Sequence, residues 1–352
     1  MAEILGMGIS HWPRLHDPDH TFAKRLKANL KHPEVPEHIK DVRNWPPAMQ
    51  KEWGDDEGLS NAPAHRQALL KGIRKVRRAL DDFKPDAIVV WGDDQYENFR
   101  EDIVPPFCVL AYQQDFQVRP HGAQENPWGE PMDKEFTVRV APDISRALVR
   151  GLIESSFDVS YAYRPLHQEG LSHAFINAML YLDYDRKGFD YPMIPFTVNC
   201  YGSNVICNKG TVPKINRAEL NLDPPAPSPT RCFDIGRATA RVMRASPWRI
   251  CLLASSSWSH AFLVAKNWQM HPDVANDRRL YDALVAGDYD AWRKTPLASV
   301  VDAGQHEVLN WFCLMGAMCE LNAPLEWSDF VESYIYNSNK VSAIYQPVPA
   351  LA

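Results

Sequence analysis

No run of apolar residues in the chain approaches the roughly 20 needed to cross a bilayer, so no membrane span is expected. Surplus charge is small. The 38 lysines and arginines are set against 44 aspartates and glutamates, a formal net charge of −6. The two signs are mixed along the chain, which leaves no basic face for nucleic acid or an anionic membrane. Cysteine is sparse as well: Cys108, Cys200, Cys207, Cys232, Cys251, Cys313 and Cys319 are odd in number, scattered and without a C-x-x-C pair. That argues against a disulfide framework or structural zinc and fits reduced thiols in the cytoplasm. No signal peptide is expected either, since Met1-Ala2-Glu3 runs straight into a strand-like segment. What is present is 352 residues with 45% hydrophobic content, enough to bury a substantial core without staples. A site for a small molecule is the expectation.

The most informative stretch is ICLLASSSWSHAF, residues 250–262. Its apolar start reads as a strand buried on both faces, and the three serines that stop it are followed by Trp258, Ser259 and His260. In open α/β sheets ligands sit beyond the carboxyl ends of the strands, which is where His260 would lie. Two other strand-like runs end in the same way. Residues 4–10 (ILGMGIS) end at His11 and Trp12, and residues 87–91 (AIVVW) end in Gly92-Asp93-Asp94-Gln95-Tyr96. A fourth run, residues 159–163, leads through His167 to Leu171-Ser172-His173-Ala174-Phe175, close to the later Trp258-Ser259-His260-Ala261-Phe262.

Helical spacing of apolar residues marks 64–83, 143–155, 232–245, 280–286 and 304–321, and strands are expected at 157–163 and 192–199, with 334–336 strand-like. The basic residues of 64–83 take the face opposite Leu69, Leu70, Ile73, Val76, Leu80 and Phe83, so they read as a solvated helix face. Strands alternating with helices predict an α/β fold: a central, mostly parallel or mixed sheet flanked by helices. The expected organisation is a single catalytic domain over 1–352, with the long segments 16–61 and 113–134 as lid-like insertions over the active site.

Several stretches together resemble the class III (type II) extradiol ring-cleavage dioxygenases, the family of the protocatechuate 4,5-dioxygenase β subunit. They are GISHWP at 8–13, VVWGDDQYENF at 89–99 with VPPFC at 104–108, LSHAF at 171–175, IPFTVN at 194–199, RCFDIGRA at 231–238, LASSSWSHAF at 253–262, AGQHEVLNW at 303–311 with GAM at 316–318, and YIYNSN at 334–339. They follow family order and span nearly the whole chain.

The resemblance implies one non-haem Fe(II) held by two histidines and a glutamate. Matched residue by residue, the first histidine is His11 and the glutamate is Glu307. The second histidine is missing, because the family's Asp-His is Asp94-Gln95 here. Gln95 or Asp93 is one replacement; His65, or next His121, is another; a weakly held or absent iron is the third. His260 corresponds to the family's active-site histidine and is assigned to deprotonating or orienting the substrate hydroxyl. His173 matches the histidine of an Asp-His-Gly segment and is assigned to proton delivery. Trp258, Phe262 and Tyr96 are expected to line an aromatic pocket. The implied reaction is extradiol cleavage of a catechol-type aromatic diol with O₂, incorporating both oxygen atoms. Arginines and lysines of the two long segments offer themselves to a substrate carboxylate, without the sequence choosing one. A cytoplasmic homo-oligomer, with or without a small accessory subunit, is implied as partner state. Two rival readings are a zinc-dependent hydrolase on the same scaffold and a non-catalytic subunit that has lost iron.

Overall fold

The computed structural model describes residues 3–121, 125–165, 167, 170–211, 213–215 and 222–349. Among the described residues there are eleven strands: β1 (Glu3–Ile9), β2 (Ala87–Gly92), β3 (Phe107–Leu110), β4 (Phe116–Val118), β5 (Phe136–Val138), β6 (Ser160–Ala162), β7 (Met193–Val198), β8 (Ile250–Ser255), β9 (Leu325–Val331), β10 (Lys340–Tyr345) and β11 (Val348–Pro349). Nine of them build one sheet in the order β6-β3-β7-β2-β8-β1-β10-β9, with β11 on β1, and β4 pairs β5 separately. The sheet is mixed. Its middle, β7-β2-β8-β1, is parallel, and β10 joins β1 antiparallel. Parallel strands need both faces covered, and every residue of β2, β7 and β8 is buried.

Alternation of side chains across the pleat divides the core into two layers. Val89, Trp91, Ile194, Phe196, Leu252 and Ala254 face the helices Pro142–Glu154, Pro229–Arg244 and Leu309–Leu321. Ile88, Val90, Cys251, Leu253, Leu5 and Met7 face the helices Ala62–Phe83 and His173–Leu182. The helix Leu309–Leu321 is apolar on nearly its whole circumference, because it is sandwiched between the sheet and the helix Pro229–Arg244. The two helices touch through their backbones. A Cβ at Gly316 would lie 1.9 Å from the Phe233 carbonyl oxygen, and one at Gly236 would lie 1.9 Å from that of Cys313. Only glycine permits so close a crossing.

Segment 16–61 is folded into short helices, among them Lys24–Leu30 and Pro47–Trp53. It has its own apolar layer, in which Trp12, Leu15, Phe22, Leu26, Trp45, Met49 and Trp53 pack on Leu69, Leu70, Ile73, Tyr181 and Tyr336. Segment 113–134 includes β4, whose partner β5 follows it. One strand expectation is corrected. Tyr334-Ile335-Tyr336 is not a strand but the connection between β9 and β10. The apolar residues there bury into the layer built by segment 16–61 instead of pairing with a neighbour.

Candidate metal centre

The carboxyl ends of the four central parallel strands lie along one edge, and the loops leaving them bring the ionisable groups together. His11 follows β1, Asp93 and Gln95 follow β2, Tyr201 follows β7, and His260 follows β8. His173 opens the helix His173–Leu182, where the hydroxyl of the preceding Ser172 donates to the Asp93 carbonyl oxygen at 2.7 Å. Glu307 sits in the turn His306–Val308, directly ahead of the helix Leu309–Leu321.

Hydrogen bonding fixes how the first imidazole faces the site. The Ser255 hydroxyl gives its one proton to the Ala174 carbonyl oxygen at 2.8 Å. It therefore accepts from His11 Nδ1, 3.1 Å away, and the tautomer follows from this network. The lone pair of His11 Nε2 then points at Glu307 Oε2, 3.3 Å away, and at Asp93 Oδ1, 3.8 Å away. His11 Nε2 is buried and has no hydrogen-bond partner. A lone pair aimed at carboxylate oxygens is repulsive unless a cation stands between them.

His173 is set in a similar way. The Glu97 carboxylate accepts its backbone N–H at 2.9 Å and its ring Nδ1–H at 3.1 Å, which turns Nε2 inward. A carboxylate holding the far nitrogen is the usual support of a metal-bound imidazole. His11, His173 and Glu307 each offer a ligand atom within 4.8 Å of the others. Glu307 accepts further from Tyr201 Oη at 2.7 Å and from the Ser257 backbone N–H at 3.2 Å.

Gln95 lies in this group, but through its nitrogen. The amide Nε2 is 2.7 Å from Tyr201 Oη, 3.2 Å from Asp93 Oδ2, 3.3 Å from Glu307 Oε1 and 3.5 Å from His173 Nε2. In this orientation it is a hydrogen-bond donor to the surrounding acceptors, and its oxygen is not presented to a metal. His260 places Nε2 3.4 Å from Glu307 Oε1, while its buried Nδ1 has no partner. Its loop is held by Asp277, whose carboxylate accepts from the Ser259 backbone N–H, Gln305 Nε2 and Asn339 Nδ2 at 2.7–3.1 Å.

The electrostatics follow from three carboxylates and three imidazoles sharing a buried space. Burial opposes charge on His173, but Glu97, then Asp93 and Glu307, more than offset it and raise its pKa to about 10. Burial pushes the Asp93 carboxyl up, Glu307 adds to this, and it reaches about 7. Burial also penalises the Glu307 carboxylate, yet His260, His11 and His173 hold it well below the usual range. His260 is lowered by burial, partly opposed by Glu307. Glu307 thus carries its charge where a cation can use it.

Other expected residues stand elsewhere. Trp258 is fully buried, edge-on to Trp292 and Trp311, and belongs to the core instead of a pocket. Tyr96 turns outward: its hydroxyl donates to Glu101 at 2.6 Å and Arg100 lies over its ring. His65 packs among Trp12, Phe22 and Tyr336, and His121 is bonded to Glu130 at 2.8 Å beside Trp128 and Phe136. Neither joins the metal-binding group. Phe262 is next to His260, with ring centroids 5.2 Å apart. It lines a cavity of 340 Å³ together with Trp12, Phe22, Arg14 and Arg25. A larger cavity of 500 Å³ lies at the opposite end of the strands, around Glu3, Arg78, Arg249 and Glu326, and has no imidazole in its lining. Glu97, Tyr201, Ser255 and Asp277 are site residues that the sequence reading missed. Glu97 and Ser255 had a signal, since each lies in a matched stretch, Glu97 two residues after Gln95 and Ser255 in 253–262.

Residues 55–343 match the family model described as the catalytic LigB subunit of aromatic ring-opening dioxygenase. The chain belongs to this family. His173, His260 and Glu307 fall inside the matched LigB region, and His11 precedes it. A protein of Comamonas testosteroni named 2,3-dihydroxyphenylpropionate/2,3-dihydroxicinnamic acid 1,2-dioxygenase is 27% identical over 224 residues, 63% of this chain and 58% of that protein. A Pseudomonas putida protein of the same name, numbered 2, is 25% identical over 215 residues, 60% of this chain and 54% of its own length. One from Burkholderia vietnamiensis is 25% identical over 299 residues, 74% of this chain and 87% of that protein. The matched part thus spans just over half the length of the first two relatives. These LigB relatives are named for dihydroxyphenylpropionate and not for protocatechuate.

Proposed function

We propose that the chain is a non-haem Fe(II)-dependent extradiol dioxygenase that opens a catechol-type aromatic ring with O₂. The observation that carries this reading is the convergence of His11, His173 and Glu307 to within 4.8 Å, with His260 beside them and facing the same space. Two imidazoles and one carboxylate are a donor set suited to Fe(II) with positions left open, and the unpartnered His11 Nε2 fits such an ion. His11, His173 and Glu307 would hold the metal, with His173 in place of the histidine that Gln95 lacks. When bound, Fe(II) supplies a redox-active Lewis acid at which a diol and O₂ can meet.

The protein's own groups supply proton handling and exclusion of water. Burial keeps His260 uncharged at neutral pH, so it can accept a proton from the substrate hydroxyl and return it later in the reaction. Nε2 of His260, 3.4 Å from Glu307 Oε1, is the ring atom that faces the centre for that transfer. Glu97 fixes the ring of His173, and Tyr201 and Ser257 fix the carboxylate of Glu307. Phe262, Trp12 and Phe22 give the diol an apolar wall. Segment 16–61 supplies Phe22 of that wall and His16, Asp17 and Arg25 of the cavity lining, which supports its role as a lid. The seven cysteines are free thiols, in keeping with a cytoplasmic location, and we extend the proposal to a homo-oligomer. No described helix is long and apolar enough to cross a membrane.

The test is O₂ uptake by anaerobically purified, iron-loaded protein against a panel of catechols, with isotopically labelled dioxygen. Diol-dependent uptake with both labelled atoms in one ring-opened product is the expected result. No uptake across the panel, with zinc in the purified protein, would turn the site over to hydrolysis.

A further inference from the structure

The cavity beside His260 contains an arginine without a counter-ion. Trp12, which directly follows His11, and Phe262, edge-on to His260, line it. The charged side chains lining it are Arg14, Asp17 and Arg25, with His16 beside them. Arg14 and Asp17 pair with each other, and His16 Nε2 lies 3.4 Å from Asp17 Oδ1. Arg25, on the helix Lys24–Leu30, has only a neutral partner: its Nη2 donates to Gln269 Oε1 at 3.1 Å. Its Nε is buried with no acceptor, and among the described residues no carboxylate pairs with it. Burial lowers the proton affinity of this guanidinium, which is the sign of a cation not compensated by the protein. A partly buried charge with an open N–H is costly unless something else supplies the acceptor.

We propose that Arg25 is a specificity-determining residue that binds the carboxylate of an acidic side chain on the substrate ring. This rests on the reading of the neighbouring centre as the site of diol cleavage. The guanidinium suits a carboxylate because its planar fork presents parallel N–H donors. The cavity, at 340 Å³, is near the lower end of small-molecule sites and admits one ring with a short acid chain. In the proposed pose the ring lies against Trp12, Phe22 and Phe262, its diol toward His260 and its acid toward Arg25. Arg25 lies ahead of the matched stretch 55–343, so the inserted segment, and not the shared scaffold, supplies this selectivity.

Two measurements test the assignment. In the first, kcat/KM is compared for 3-(2,3-dihydroxyphenyl)propionate and the neutral 3-propylcatechol in iron-loaded wild type, Arg25→Gln and Arg25→Lys. The wild type should favour the acid, and Arg25→Gln should shrink that ratio on the order of 10- to 100-fold, the range for loss of a charged hydrogen bond. Arg25→Lys should recover part of it. In the second, binding of 3-phenylpropionate, which has no diol to turn over, is measured by calorimetry on the same proteins. Binding by wild type that is weakened at least tenfold in Arg25→Gln supports the role even if no diol is cleaved. An acid preference that survives Arg25→Gln overturns it, as does wild type that binds 3-phenylpropionate no better than the variant. Failure of all turnover with the calorimetric difference intact would instead reject the dioxygenase reading alone.

Discussion

Gly316→Ala sets two effects of opposite sign against each other in the helix that follows Glu307. Helix propensity alone favours alanine in a helix interior by about 1 kcal/mol. The new Cβ, however, would stand 1.9 Å from the backbone carbonyl oxygen of Phe233, against an ordinary contact of about 3.5 Å. Backbone on the facing helix cannot rotate away as a side chain can, so the helices Leu309–Leu321 and Pro229–Arg244 must separate by on the order of an ångström. Overpacking of this kind costs about 1–3 kcal/mol, occasionally more. The clash therefore at least cancels the propensity gain, and a net loss of up to about 2 kcal/mol is expected. Guanidinium denaturation reads this as a lower midpoint at unchanged slope. Displacement of the helix should also move Glu307 and weaken metal binding. A variant more stable than wild type by about 1 kcal/mol, the propensity value, would refute the close crossing.

Three further outcomes are expected. Glu97→Gln removes the charge that holds His173 Nδ1 and should lower metal affinity on the order of 10- to 100-fold; calorimetric titration with Co(II) giving the wild-type constant would contradict this. His260→Ala should keep the metal and lose on the order of 10²- to 10⁴-fold in kcat, and near wild-type turnover would remove His260 from proton transfer. Burial pushes the Asp277 carboxyl up to about 7. Its contribution to stability is therefore full below the unfolded value of about 4 and is lost as pH rises through about 7, on the order of 4 kcal/mol for a shift of about three units. Asp277→Asn should reduce the fall in denaturation midpoint between pH 5 and 8, and an unchanged fall would reject the shift.

The parallel centre of the sheet was legible because β2, β7 and β8 are short apolar runs that stop at polar residues, and the helices because their buried faces repeat at helical spacing. The positions of His11, His260 and Glu307 followed from matched motifs and proved to converge. Less legible was anything decided by side-chain direction. Trp258 and His260 are two residues apart, yet one enters the core and the other faces the site. The apolar Tyr334-Ile335-Tyr336 has strand composition but pairs with no strand, since the layer built by segment 16–61 takes up its side chains. The vacancy left by Gln95 could be seen in sequence, but not its neighbour. His173 reaches the site from the start of a different helix, and the Glu97 bond that aims it joins residues 76 positions apart.

The most direct measurement is anaerobic Fe(II) titration of wild type, His173→Ala and His260→Ala. One Fe(II) per wild-type chain, a site lost or severely weakened in His173→Ala and retained in His260→Ala, is the expected pattern. Undiminished binding by His173→Ala, or loss of binding in His260→Ala, would show that the imidazole completing the metal centre is not His173.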